Sequence, residues 1–243
     1  MKLNCDLGES FGNWKMGLDE QVMPFIDQAN IACGFHAGDP LVILNTLKLA
    51  KQHNVTIGAH PSYPDLVGFG RRSMKCSKQE IIAMMLYQIS AIDGMAKSLG
   101  LNLEYVKPHG ALYNDMMLNP NVRNAIFDAI RQYPKKLKLM CQATKNLEAH
   151  KKEAQTFNIE ILAEVFADRC YLDDGSLMPR GEIQAVHNQQ KTLGQVEQLM
   201  KTGTVTTNTG KTLIIQADSL CVHGDNIEAV NMIQTIRDLI QGE

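Results

Sequence analysis

The chain has 243 residues, with 24 Lys and Arg against 26 Asp and Glu, a net charge of −2 and 44% hydrophobic residues. That length and apolar share suit one domain with a substantial core, and the near-neutral charge, without a basic run, argues against nucleic acid or an anionic membrane as partner. The six cysteines (5, 33, 76, 141, 170 and 221) lack zinc-type spacing and read as reduced thiols, and with no leader-like or membrane-spanning apolar stretch the chain is expected in the cytoplasm.

Strand-like and helix-like segments alternate along the chain. Lys2–Cys5 and Ala29–Cys33 read as strands, and Asp39-Pro40 then starts a helix to about His53, an Asp cap followed by proline in the first turn. Val55–Ala59 is a short β-branched strand. Ser77-Lys-Gln-Glu80 is a capping box opening a helix to about Leu99. Leu103–Val106 is the next strand, Asn119-Pro120 caps a helix to Tyr133, and Leu137–Cys141 and Ile159–Val165 are strands flanking a helix from about Asn146. Beyond Ala167 the rhythm loosens through the turns Asp173-Asp-Gly175 and Pro179-Arg-Gly181. Leu193–Met200 reads as helix, Leu213–Ala217 and Leu220–Val222 as strands, and Asp225 as the cap of a last helix to about Ile240. Repeated βα units without the three-glycine dinucleotide fingerprint favour an α/β fold of the closed (β/α) barrel type, one domain over residues 1–243 with seven units rather than eight.

Five apolar runs end in clusters of His, Asp, Asn or Cys with glycine: 4–10, 30–39, 58–65, 107–114 and 221–225. Polar groups placed after successive strands of such a fold build one site at the carboxyl ends of the strands. Alternation puts Asn4 and Asp6 on one side of the first strand, with Asp6 as general base or ligand. Asn30 lies within the second strand, at the head of its cluster. His36 lies ahead of a helix N-terminus, where free N–H groups suit a carboxylate or phosphate. His60 and His109 follow strands directly and are stiffened by neighbouring prolines. Lys107 at a strand end can face the barrel interior, where the carboxylate of a substrate or of a partner residue would be needed to satisfy it. Arg71 and Arg72 sit on a glycine-bearing loop suited to binding an anion. Asp168 and Arg169 read equally as a site pair or a structural ion pair, and Arg180 is similar. His223 and Asp225 complete the set, and Cys221, two residues from His223, reads either as a thiol with a lowered pKa or as buried filler. His53, His150 and His187 read as structural or surface. There is no P-loop and no Gly-x-Ser-x-Gly elbow.

The clusters, in this order, resemble the LamB/YcsF family. The matching strings are Asn-x-Asp-Leu-Gly-Glu at 4–9, Asn-Ile-Ala-Cys-Gly-Phe-His-Ala-Gly-Asp-Pro at 30–40, Gly-Ala-His-Pro-Ser-Tyr-Pro-Asp-Leu-Val-Gly-Phe-Gly-Arg-Arg at 58–72, Lys-Pro-His-Gly-Ala-Leu-Tyr-Asn at 107–114, Ala-Asp-Arg-x-Tyr at 167–171 and Cys-Val-His-Gly-Asp at 221–225. Around Arg180 the resemblance is looser. It implies a seven-stranded (β/α) barrel akin to polysaccharide deacetylases and glycoside hydrolases. It also implies cleavage of the lactam of 5-oxo-L-proline to L-glutamate, coupled to hydrolysis of ATP (with magnesium), by a complex with two partner 5-oxoprolinase subunits, B and C. In that reaction Asp6 with His60 or His109 would manage the water, and Lys107 or Arg71 would hold carboxylate or phosphate. Related deacetylases bind a metal through one Asp and two His, so Asp6, His60 and His109 also form a candidate set for a divalent metal. Two other readings stay open: a stand-alone metal-dependent amidohydrolase or deacetylase, and a non-catalytic subunit that captures a small carboxylate.

Overall fold

In the computed structural model, residues 1–224 and 227–242 are described. The expected cap Asp225 lies outside them. Seven parallel strands close into a barrel in the order β1 (Lys2–Leu7), β2 (Gln28–Ala32), β3 (Thr56–His60), β4 (Leu103–Val106), β5 (Lys138–Gln142), β6 (Ile161–Phe166) and β9 (Ser219–Val222), with β9 pairing back onto β1. Around it run α1 (Asp19–Val22), α2 (Pro40–Gln52), α3 (Lys78–Ser98), α4 (Gly110–Leu118), α5 (Pro120–Gln132), α6 (Leu147–Gln155), α7 (Gln189–Thr202) and α8 (Ile227–Gln241). Among the described residues no helix is long and apolar enough to cross a membrane.

Local chemistry accounts for the punctuation. Asp39 accepts from the N–H groups of Leu41 and Val42 to start α2, and Ser77 and Glu80 form the reciprocal box that starts α3. Asn119 caps α5, and Gly203 ends α7 in the left-handed region at φ 65°. Strand alternation sorts the core: Leu3, Cys5 and Leu7 are buried, while Asn4 and Asp6 belong to the polar set bonded across the barrel.

One expectation is corrected. Leu213–Ala217 is not a barrel strand. Only Thr212–Ile214 is extended (β8), and it pairs antiparallel with β7 (Thr204–Thr206) in a separate hairpin, with Ile214 82% exposed. The barrel closes through the next apolar run, Ser219–Val222, which is buried throughout. After Lys107, Gly110–Leu118 forms α4, a segment the sequence reading leaves unassigned. His109 precedes that helix without a side-chain cap bond, so no cap residue announces it.

The polar interior explains one glycine. Gly58 is in register with Asn30 on one side and Tyr105 on the other. The Tyr105 ring crosses the space that a Gly58 Cβ would fill, and its hydroxyl donates to Asn30 Oδ1 at 2.6 Å. Gly58→Ala must therefore displace the ring and break that bond. The expected cost is about 1–3 kcal/mol, the range for overpacking a filled interior, measured by urea denaturation against the parent chain.

Candidate functional site

Lys107, immediately after β4, is the hub. Its side chain is 4% exposed, and its Nζ lies 2.9 Å from Asp6 Oδ1 and 2.7 Å from Glu164 Oε1. It also stands 3.2 Å from Asn4 Oδ1 and 3.4 Å from Cys221 Sγ. An ammonium has three N–H donors, so these partners use all of them. Burial alone would pull the ammonium down, but Asp6, Cys221 and Glu164 reverse this and hold it well above its ordinary value. Asp6 responds in kind. Burial pushes its carboxyl up, and His60 and Lys107 more than offset this, so it stays well below the usual carboxylate range. Asn30 Nδ2 donates to Asp6 Oδ1 and to Asn4 Oδ1, both at 2.8 Å, and Glu164 Oε2 accepts from Tyr113 at 2.8 Å.

Above this layer three imidazoles gather. His60 closes β3, and its Nδ1 lies 2.7 Å from the Lys107 carbonyl. His109 places Nε2 2.9 Å from the Phe69 carbonyl. A carbonyl only accepts, so each of these nitrogens carries a proton, and in the neutral form of each ring the second nitrogen is a lone pair. Those two nitrogens, His60 Nε2 and His109 Nδ1, face each other at 3.0 Å. Asp6 Oδ2 is 3.3 Å from His60 Nε2, and Glu9 Oε1 is 3.5 Å from His109 Nδ1. The His36 ring stacks on His109 at 3.7 Å, nearly parallel, with its Nε2 3.0 Å from Glu9 Oε1. Burial pushes both His36 and His109 well below the usual imidazole value, with neighbouring imidazoles adding to the effect. Burial raises Glu9, against the pull of His109. Glu9, His36, His60 and His109 each bring one ligand-type atom within 4.8 Å of the others. Asp6 touches His60 but is committed to Lys107 and Asn30 through its other oxygen.

The loop that brings Gly70 against these rings depends on a missing side chain. Gly70 has φ +63°, and a Cβ there would stand 2.8 Å from His109 Cδ2 and 2.9 Å from His36 Cβ. Phe69, next to it, packs edge-on against both rings. A cleft of about 290 Å³ opens here, lined by Glu9, His36, Trp14, Phe69 and Arg71 among others. The Arg71 guanidinium lies 5.0 Å over the Phe69 ring.

The remaining candidates separate into those that reach the site and those that do not. Arg72 is spent on Asp65, gripping it through Nε and Nη2, and it holds the loop rather than lining the cleft. The Asp39 carboxylate already occupies the N-terminus of α2, so the expected anion cradle beside His36 is filled by the chain itself. Arg169 donates to the carbonyls of Ala185 and Met178, a structural tie rather than the ion pair with Asp168 that one of its readings expected, since Asp168 turns to His223. Of the two readings of Cys221, the structure takes buried filler over an activated thiol. The residue lies against Lys107 rather than His223, and burial pushes its pKa well up despite the ammonium. Asp225 lies outside the described residues.

His223 instead pairs with Asp168, Nδ1 to Oδ2 at 3.0 Å, while Arg180 Nη2 lies 3.2 Å from His223 Nε2. Burial lowers the His223 imidazole, but Asp168 and Asp6 outweigh burial and Arg180, so its pKa is raised. Burial raises Asp168, but His223, Arg180 and Arg169 bring it to about 2. The histidine's contribution to stability is complete below about pH 6.5 and lost as pH rises through the folded value. The carboxylate's is complete above about pH 3.9 and lost as pH falls toward its folded value. His223→Gln should therefore lower the urea midpoint most between about pH 4 and 6.5, with the gap narrowing on both sides. A gap independent of pH contradicts this pairing.

Two site residues had escaped the sequence reading. Glu9 stands inside the first cluster, where its separation from Asp6 hid the shared site. Glu164 is fully buried in the apolar run Ile161–Phe166, and a carboxylate in a buried strand was itself the signal.

The LamB/YcsF family model matches residues 1–243. The A subunit of the 5-oxoprolinase of Vibrio campbellii (strain ATCC BAA-1116) is 50% identical over 238 residues, covering 98% of this chain and 94% of that protein. The protein of the same name from Chromohalobacter salexigens is 49% identical over 241 residues, covering 99% and 96%. Among solved structures, the lactam utilization protein from Thermus thermophilus superposes with a TM-score of 0.91 at 35% identity, covering 100% of this chain and 96% of that one.

Proposed function

The chain belongs to the LamB/YcsF family, and from that premise we propose that it is the A subunit of a 5-oxoprolinase. In this reading it opens the lactam of 5-oxo-L-proline to L-glutamate, coupled to ATP hydrolysis, together with partner subunits B and C. The names of the relatives support the substrate. The observation that carries the assignment to this chain's own residues is the pairing of Asp6 Oδ2 with His60 Nε2, 3.3 Å apart at the barrel mouth.

A five-membered lactam is a weak electrophile, and phosphorylation of its amide oxygen by ATP supplies the activation. Water then adds to the ring carbonyl carbon, the C–N bond breaks with a proton going to the nitrogen, and a second water hydrolyses the resulting acyl phosphate to L-glutamate and inorganic phosphate. Asp6 Oδ2 and the His60 lone pair are adjacent acceptors, suited to orienting one water through its two hydrogens and receiving the proton released. Lys107 has no donor to spare for the substrate. Its task is to keep Asp6 ionised and fixed. Arg71, at the cleft, is free to meet the substrate carboxylate as a bidentate donor.

The test is glutamate release from 5-oxoproline by the purified chain, with and without ATP, alone and with subunits B and C. Release that needs both ATP and partners supports the proposal. No release with competent partners discards this substrate. Release by the chain alone without ATP replaces the proposal with the stand-alone amidohydrolase reading.

A further inference from the structure

Three ligand-type atoms converge at the barrel mouth, and with both imidazoles neutral no hydrogen lies among them. The carbonyls of Lys107 and Phe69 fix the protons of His60 and His109 on their outer nitrogens. His60 Nε2 and His109 Nδ1 therefore confront each other at 3.0 Å as two acceptors. The third is Glu9 Oε1, a carboxylate oxygen 3.5 Å from His109 Nδ1. Acceptors buried this closely repel unless a cation lies between them. His60 and His109 are 1% and 5% exposed, so solvent does little to relieve the repulsion.

We propose that Glu9, His60 and His109 bind a divalent transition-metal ion of the zinc or cobalt type. Metal–ligand bonds of about 2.0–2.1 Å place tetrahedral neighbours about 3.3 Å apart, and the two measured separations, 3.0 and 3.5 Å, bracket that value. Two imidazoles and one carboxylate suit zinc and its neighbours better than magnesium or calcium, which prefer all-oxygen shells. His36 is not a ligand, although it lies in the same cluster. Its ring is stacked on His109 with 4° between the planes, so the two in-plane lone pairs lie in separate parallel planes and do not meet at one ion. Its Nε2–H donates to Glu9 instead, at 3.0 Å, which orients the carboxylate as outer partners of metal ligands do. This set differs from the Asp6, His60 and His109 trio expected from the sequence. Asp6 is held by Lys107 and Asn30, which leaves its Oδ2 beside the ion as a proton acceptor. Ion binding stands independently of the proposed reaction. Within that reaction it makes His60 a ligand and Asp6 the group that receives the proton.

The experiment uses the full chain, stripped with a chelator and titrated with Co²⁺ at neutral pH. Visible d–d absorption and the metal retained after gel filtration are the readouts, so no substrate, ATP or partner enters. One Co²⁺ per chain is expected. Glu9→Gln and His109→Gln should each weaken binding at least as much as losing an outer partner does, about 10–100-fold. His36→Phe should weaken it less, and His53→Gln not at all. Thermal unfolding of each variant confirms that it is folded. Should His109→Gln fail to fold, Glu9→Gln carries the test, because its side chain lies at the cleft and the change is isosteric. No retained Co²⁺ or Zn²⁺, equal retention by Glu9→Gln, or thiolate charge-transfer bands marking a cysteine site would each overturn the proposal.

Discussion

Lys107→Met is expected to destabilise the fold by about 3–5 kcal/mol, the cost of leaving buried charge without its partner. The lysine faces two carboxylates, Asp6 at 2.9 Å and Glu164 at 2.7 Å, and both lose their cation at once. Asp6 keeps Asn30 and His60 as partners. Glu164 is fully buried and retains only the Tyr113 hydroxyl on Oε2. Glu164 is therefore the more exposed to the loss energetically, and most of the destabilisation is expected to trace to it. Adding Glu164→Gln to Lys107→Met removes one of the two stranded charges and should recover part of the deficit. The two substitutions then combine non-additively, as expected of residues in contact. Urea unfolding of the parent, both single variants and the double variant gives the cycle. Additive effects would mean that Lys107 and Glu164 do not share an ion pair. A lysine kept only for binding substrate predicts the opposite result for Lys107→Met, lost activity with little change in stability.

Chain-local rules made most of the barrel legible. Strand alternation around Asn4 and Asp6, the Asp39-Pro40 start of α2 and the Ser77–Glu80 box each depend on residues within a few positions of one another. The clusters at strand ends were legible for the same reason, since a parallel barrel delivers the end of every strand to one mouth. What escaped depends on distant partners. Nothing in the Arg71-Arg72 dipeptide tells which guanidinium turns back to Asp65 and which lines the cleft. Cys221 and His223 lie on one side of an extended segment, but Lys107, which claims the sulfur, comes from across the barrel. Thr212–Ile214 has strand composition and is a strand, but whether a strand joins the barrel or a side hairpin depends on neighbours, not propensity. Glu9 and Asp6 are three residues apart, and only the loop geometry sets Glu9 against His36 and His109.

Asp6→Asn is expected to lower glutamate formation by the complete complex about 10²–10⁴-fold, the usual worth of a positioned proton acceptor, with little change in the apparent affinity for 5-oxoproline. The substitution is isosteric. An amide oxygen at Oδ1 still accepts from Asn30 and Lys107, and Lys107 keeps Glu164 as counter-charge, so the barrel layer stays filled and paired. Any loss of stability should stay within about 1.5–3 kcal/mol, the worth of one hydrogen bond to a charged group. What disappears is the acceptor at Oδ2. An amide nitrogen there donates toward the His60 lone pair and takes no proton from water. With the ion proposed above in place, His60 is occupied as a ligand and offers no substitute, so the loss should approach the upper end of the range. Without it, His60 keeps a lone pair that can still take the water's proton in competition with the new amide, and the loss should sit near the lower end. Turnover measured with saturating ATP and partners, with KM read separately, distinguishes these outcomes from failed binding. A variant that binds Co²⁺ normally and makes glutamate at a near-normal rate removes Asp6 from the chemistry and leaves it a structural counter-ion to Lys107.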